Sequence, residues 1–539
     1  MIFLKKYQDL LGLMLLWLII ILVINPMGDF PLNDDWCYGK SVKTLYENGY
    51  LKLYNWGEMT LVSHVYWGYL FTKIFGFSFT VLRVSTLVMG LATILGVYQL
   101  CKLANVPRFL TLLGVILCMV NPIFLSLSFS FMTDVPFYCL SIWILYFFSK
   151  ALKTDSWRPI LWALFFCVWA FLIRQLAIVF PIVWLLTVIL SKKRTLNNGV
   201  KAVVPLFFVL IFSVLFSWFM ETNGLLQERY NSKFNVLITS LKNINFQLIK
   251  LIVTYFLTSM AYLGFLMAPI YILYIKKNPF RGSKIGIAIW TVLVLVFIVK
   301  MKKVLPSLDN IWIDFGVGPT TLIVDGTSSF TEAPSNKAPY LFWLIVTAIG
   351  VFSSAALWLK ARIMVLAVFS KKAISPMVIF AFVFLVVYLS PFLIVGVYDR
   401  YLLPLFPVTI VFLFADKKLD ISRISKYFAM FFLGALTWFS VFATHDYLSW
   451  NRVRWEVLEG LQEKGVSVNH IQGGVEFTTW HHFSETQDAW WENVIPVYTL
   501  VFNPKKEDVI VGEYSYSKWL SGKGKIYVIY DASLDPSLQ

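Results

Sequence analysis

Charge is scarce in this chain. Only 14% of its 539 residues are Asp, Glu, Lys or Arg, 58% are hydrophobic, and the mean hydropathy is +0.71. No soluble protein of this length hides so much apolar surface, so a water-soluble globule is excluded. Cysteine is scarce too: Cys37, Cys101, Cys118, Cys139 and Cys167 show no CxxC or metal-ligand spacing. That excludes a disulfide framework and leaves the thiols as small hydrophobes. There is no Walker loop, no GxGxxG, no internal repeat and no low-complexity tract, so nothing points to a nucleotide site. The apolar runs are continuous where a membrane barrel's strands would alternate, and a lipid-facing backbone must satisfy its own hydrogen bonds. Only membrane helices remain.

What is there is a series of such runs, at 10–24, 81–100, 109–124, 135–149, 160–173, 176–190, 202–220, 251–275, 285–299, 340–359, 377–397, 402–415 and 427–443. They predict an α-helical polytopic membrane protein with about 13 transmembrane helices. Lys5-Lys6 precede the first run and no small-x-small cleavage site follows it, which reads as an uncleaved anchor with a cytoplasmic N-terminus. Arg174-Gln175 interrupts the stretch 160–190. Reading that stretch as a hairpin puts Lys192-Lys193-Arg194, Lys276-Lys277, Lys371-Lys372 and Lys417-Lys418 all in the cytoplasm, as the positive-inside rule asks. Lys300, Lys302 and Lys303 are then the exceptions. The formal net charge of +16 thus reads as a topology signal and not as a nucleic-acid footprint. Residues 1–444 form the expected transmembrane domain, with outer loops at 25–79, 221–248 and 300–339. The amphipathic stretch 41–50 predicts a helix lying in the interface plane, and 221–248 has room for another. From 445 to 539 the texture becomes that of a small soluble α/β domain on the outer face, with one helix face at Trp450, Val453, Val457, Leu458 and Leu461. Val509-Ile510-Val511 and Ile526-Tyr527-Val528-Ile529 read as its strands.

On this topology Asp34, Asp35, Glu58, Asp134 and Asp399 share the outer side. Adjacent carboxylates repel, so Asp34-Asp35 should include one raised pKa, the tuning of a general base or of a metal ligand. Asp134, in Phe131-Met132-Thr133-Asp134-Val135-Pro136, reads as a helix cap or as a second acid at the level of Asp34. Arg174 sits among apolar residues and needs an anionic partner, Asp134 or a lipid phosphate. Arg400 can be neutralised by the adjacent Asp399. His64 reads as a ligand, a base or a hydrogen-bonded filler, and His481-His482 lacks the spacing of a helical metal pair. A divalent ion bridging Asp34 or Asp35 with Glu58 and His64 is a minor alternative, and no cofactor is otherwise expected.

These motifs together resemble the polytopic GT-C glycosyltransferases, closest to bacterial glycosyltransferase family 39, the relatives of protein O-mannosyltransferases and of the lipid A aminoarabinose transferase. The resemblance rests on the acidic pair after the first span, Met132-Thr133-Asp134-Val135-Pro136 and Ile173-Arg174-Gln175. It continues in Phe315-Gly316-Val317-Gly318-Pro319, Tyr398-Asp399-Arg400-Tyr401-Leu402-Leu403-Pro404, and the stretch from His445-Asp446-Tyr447 through Trp450-Asn451-Arg452 to Arg454-Trp455. Two departures stand out: Asp34-Asp35 replaces the commoner Asp-Glu, and His64-Val65-Tyr66 replaces a frequent His-Pro-Pro. The resemblance implies a hexosyl or pentosyl donor on a polyprenyl phosphate, an acceptor (lipid, glycan or protein) on the outer face, and inversion at the anomeric carbon. It assigns the base to Asp34, which the residues alone do not rank above Asp35. Asp35 or Asp134 would hold the acceptor or share the charge, and Glu58, His64 and Tyr398 would line the substrate site.

The chemistry of the residues is consistent with that implication. Glycosyl transfer needs a carboxylate to take the acceptor's proton and cations to hold the departing phosphate. Arg174 and Arg400 suit the phosphate, since guanidinium–phosphate contacts are bidentate and strong. The competing class is a transporter or flippase of a lipid-linked or anionic substrate, which predicts mid-bilayer charges and two similar halves. A scaffold or receptor would leave Asp34-Asp35 and Arg174 without a role.

Overall fold

The computed structural model describes residues 2–191, 195–277, 283–308, 310–319, 322, 337–370, 373–417, 421–485 and 494–534. The basic clusters 192–194 and 371–372, Lys418, and residues 309, 320–321 and 323–336 of the expected outer loop 300–339 lie outside them. Each of the thirteen apolar runs is helical, but not all are full spans. Among the described residues eight helices are long and apolar enough to cross a membrane. A ninth span comes from Arg108–Met119 and Pro122–Ser128 taken together, bent by 55°. Asn121 caps the second half of that pair through Ile123 N and Pro122 opens it, so the bend has a capped, proline-led cause. Four of the expected thirteen are not among these nine: Trp157–Phe171, Val179–Ser191 and Leu405–Phe414 have 15, 13 and 10 residues, short of the roughly 20 a bilayer needs, and Ser283–Lys300 is the fourth. Leu405–Phe414 is buried along its whole length. An all-apolar helix surrounded by other helices has that fate.

The segment 25–79 is more ordered than the sequence suggested. It holds two helices, the expected amphipathic one at Asp35–Asn48 and a second at Val62–Phe75. The segment 221–248 supplies Ser232–Lys242, and the start of 300–339 a short hairpin, Trp312–Ile313 with Gly316–Val317. Gly318 follows it with a left-handed φ of +80°, lying so close to the Tyr447 ring that a Cβ would fall 2.3 Å from it. Only glycine fits there.

The soluble domain expected from 445 does not begin at a break. Arg423–Glu463 is one helix of 41 residues that crosses that position. Beyond it a four-stranded mixed sheet runs in the order Ile471–Gln472, Tyr498–Val501, Gly522–Tyr530, Val509–Lys518, with only the first pair parallel. Asp446, inside the long helix, accepts Trp519 N at 2.6 Å and Leu520 N at 3.1 Å from the sheet's hairpin turn. His445 stacks on Trp519 at 3.5 Å. Arg452 donates to the carbonyls of Asn25 and Met27, tying the same helix to the end of the first one.

Candidate active site

The turn before helix Asp35–Asn48 separates its two acids. Asn33 adopts a left-handed backbone (φ 60°), which Asn tolerates, and the carboxylates diverge from there. Asp35 turns inward: it is 1% exposed and accepts Leu32 N at 2.5 Å and Phe131 N at 2.9 Å. Burial pushes its pKa up to about 8, against the pull of the Phe131 and Leu32 amides and of Arg83. Asp34 stays half-buried, with Oδ1 accepting Trp56 Nε1 at 2.9 Å. Burial raises its pKa, Arg400 and the Trp56 N–H lower it, and Glu476 and Asp134 raise it. One acid therefore anchors the turn and the other faces the site.

Phe131 is where that anchor lands. His64 is fully buried, stacks on the Phe131 ring at 4.0 Å, and donates Nε2–H to the Phe131 carbonyl at 3.0 Å. Burial lowers its pKa to about 4, so the ring is neutral. Asp35 and His64 thus hold both backbone groups of Phe131, three residues ahead of Asp134. His64 supports the site from behind and does not line it. Glu58 lies apart, paired with Lys233 at 3.2 Å.

Asp134 opens helix Asp134–Thr154 without capping it; the preceding Thr133 makes no side-chain cap either. Its carboxylate instead meets Arg174 Nη2 at 2.9 Å and Arg400 Nη1 at 3.7 Å, with side-chain exposures of 1%, 11% and 8% in that order. The helix N-terminus adds its own positive potential. Arg174 also donates Nε and Nη2 to Thr133 Oγ1, at 3.1 and 2.6 Å. It is extended between Trp157–Phe171 and the short turn Gln175–Ile178. The carbonyls freed at that break are taken up: Phe171 O by Thr60 Oγ1 at 2.5 Å, Leu172 O by Ser63 N at 3.1 Å and Ile173 O by Leu61 N at 3.2 Å. The break is therefore satisfied and rigid, and it delivers the guanidinium.

The described ion pair of the Arg400 guanidinium is with Asp134, not with the adjacent Asp399. Asp399 accepts Ile311 N, Trp312 N and Arg400 N at 3.0, 2.7 and 2.7 Å, so it fixes the 311–317 hairpin and frees the guanidinium for Asp134. Tyr398 and Tyr401 lie under the Arg400 guanidinium at 5.5 and 5.7 Å, and Tyr401 also faces Arg174 at 6.0 Å. The Nε and Nη1 of Arg400 are buried with no hydrogen-bond acceptor among the described residues. The metal alternative gains no geometry, because Asp34, Asp35, Glu58 and His64 each face different partners. Among the described residues no three His, Cys, Asp or Glu side chains form a metal-sized group.

Two contributors went unread in the sequence. Trp56 was only one aromatic among many until its N–H met Asp34. Glu476, buried at 1%, accepts Asn33 N at 3.1 Å and pairs with Arg454 at 2.9 Å. An acid between Val475 and Phe477 was the one signal for it. Replacing Trp56 with Phe removes a donor that favours ionised Asp34. With Asp34 as a base, the acid limb of a kcat/KM–pH profile is then expected at higher pH than in wild type. An unmoved limb would separate Trp56 from the titrating group.

Residues 63–218 match the family model of the dolichyl-phosphate-mannose-protein mannosyltransferases. The comparisons with curated proteins and with solved structures returned no match. The chain resembles a membrane glycosyltransferase of GT-C type. In this GT-C-like chain the matched segment carries His64, Thr133, Asp134 and Arg174, while Asp34, Arg400 and Glu476 fall outside it.

Proposed function

We propose that the protein is an inverting glycosyltransferase that moves a hexose or pentose from a polyprenyl-phosphate donor to a lipid, glycan or protein acceptor. The reaction takes place on the outer face of the cytoplasmic membrane. The observation that carries this reading is the convergence on Asp134 of two guanidiniums, one with unsatisfied buried donors, beside the half-buried Asp34. Arg174 and Arg400 hold the donor phosphate. Asp34 takes the proton as the acceptor oxygen attacks the anomeric carbon from the face opposite the phosphate. The new C–O bond forms as the old one breaks, and the lipid phosphate leaves with its electron pair between the arginines. The matched family's name pairs a dolichyl-phosphate sugar with a protein acceptor, which supports a lipid-linked donor here.

Purified protein incubated with labelled polyprenyl-phosphate sugars should release lipid phosphate and transfer or hydrolyse the sugar. Uptake into vesicles without chemistry would favour transport instead. Arg174→Lys keeps the charge but loses the fork, and is expected to raise the donor KM by about tenfold; wild-type donor use in that variant would make Arg174 purely structural. The sidedness has its own test. All five cysteines are free and buried, including Cys37, so none reports on it, whereas Tyr50 is 56% exposed. Tyr50→Cys should be labelled by an impermeant maleimide on intact cells, and labelling only after lysis would invert the topology.

A further inference from the structure

A cleft of about 530 Å³ lies outside the arginine cluster, between helix Asp35–Asn48, the last turns of Arg423–Glu463 and the short helix Val475–His482. Its size is that of a small-molecule site. Tyr46, Phe77, Trp455 and Trp480 supply aromatic surface. Trp455 is nearly buried, and its indole N–H has no acceptor among the described residues. Acids outnumber bases in the lining: Asp29, Glu47 and Glu459 against Lys43, which lies within 3.9 Å of Glu47 and, with Lys40, on the Trp480 ring at 5.6 and 5.9 Å. Burial, joined by His482, Lys40 and Lys43, lowers the His481 pKa to about 4 and keeps it neutral. Burial together with Asp29 and the neighbouring acids raises that of Glu459, the mark of a negative local potential.

We propose that this cleft binds a neutral or cationic saccharide portion of the acceptor, a role that rests on the transferase reading above. Aromatic faces suit the C–H faces of sugar rings, and carboxylates with Gln462 suit their hydroxyls. The negative lining disfavours phosphorylated or uronic-acid ligands, so the cleft is distinct in chemistry from the arginine site that takes the donor. The two are joined by one turn: Pro31 lines the cleft, and Asn33 and Asp34 follow it. Within the cleft the Asp29 carboxylate accepts Phe79 N at 2.6 Å, which fixes one acid of the lining.

Calorimetric titration of the full chain in detergent with three trisaccharides tests this: maltotriose (neutral), the glucosamine trimer (cationic) and trigalacturonate (acidic). Maltotriose or the glucosamine trimer should bind wild type and Asp34→Asn alike, and trigalacturonate neither. Trp480→Ala should weaken binding about tenfold or more, whereas Trp480→Phe, which keeps a flat face, stays near wild type. Glu459→Lys, at an exposed position, should admit trigalacturonate. The proposal is overturned if wild type binds none of the three, if Trp480→Ala binds as wild type does, or if the acidic trimer binds wild type as well as the others. Saccharide binding in a protein that transfers no sugar from any donor would retain the cleft and remove the catalytic reading instead.

Discussion

Asp34→Asn should lose about two to four decades of kcat while keeping most of its donor affinity. Asn preserves the shape of the side chain and an oxygen for the Trp56 N–H, now 2.9 Å from Asp34 Oδ1, so the turn keeps its geometry. What it cannot do is take a proton. In the proposed reading the donor's phosphate contacts belong to Arg174 and Arg400, which this substitution does not touch, so the loss is expected in kcat and not in KM. Asp35→Asn makes the contrast. That carboxyl already serves Leu32 and Phe131, so its loss should show mainly as instability. Full activity in folded, membrane-inserted Asp34→Asn would return the acidic pair to a structural turn.

Glu476→Gln is the second large effect, and it appears in stability first. The Arg454–Glu476 pair is 0% and 1% exposed at the side chains, and removing one member of such a pair costs about 3–5 kcal/mol because the other charge stays buried. A thermal melt at fixed scan rate should therefore fall by several degrees. The double variant Glu476→Gln/Arg454→Met should recover part of that loss, because the Arg454 charge is removed together with that of Glu476. The turn Asn33–Asp34 keeps an acceptor in Gln. A Glu476→Gln protein that melts as wild type does would mean the pair contributes nothing, and that residues after 463 merely rest on the Asn33–Asp34 turn.

The four charges of the site were legible because each breaks a rule of the membrane boundary. Asp34, Asp134, Arg174 and Arg400 stand beside apolar runs, where an ionised group is costly unless something answers it. Which charge answers which was not legible. Asp399 adjoins Arg400 in sequence, yet its carboxylate is consumed by three backbone amides, and Asp134 reaches both arginines from a different helix. Glu476 was silent because its partner, Asn33, is nearly the whole chain away, and no local pattern encodes a contact of that separation. The fold divides in the same way. Apolar runs located the helices, but composition did not measure them, so short buried helices such as Leu405–Phe414 were counted as spans. At 445 the sequence turns polar while the helix Arg423–Glu463 continues unbroken, so the expected boundary falls inside a helix.

That unbroken helix acts as a ruler. At about 1.5 Å per residue its 41 residues reach roughly 60 Å, about twice the hydrocarbon thickness of a bilayer. Its length therefore sets the height of the C-terminal sheet, and its pitch sets the sheet's heading. One residue inserted after 444 would lift everything beyond it by about 1.5 Å and rotate it by about 100°. Arg454 and Glu476 would swing away from the Asn33 turn without a single substitution in either. In a chain of this design the phase of the last helix is fixed by the turn at the other end of the sequence.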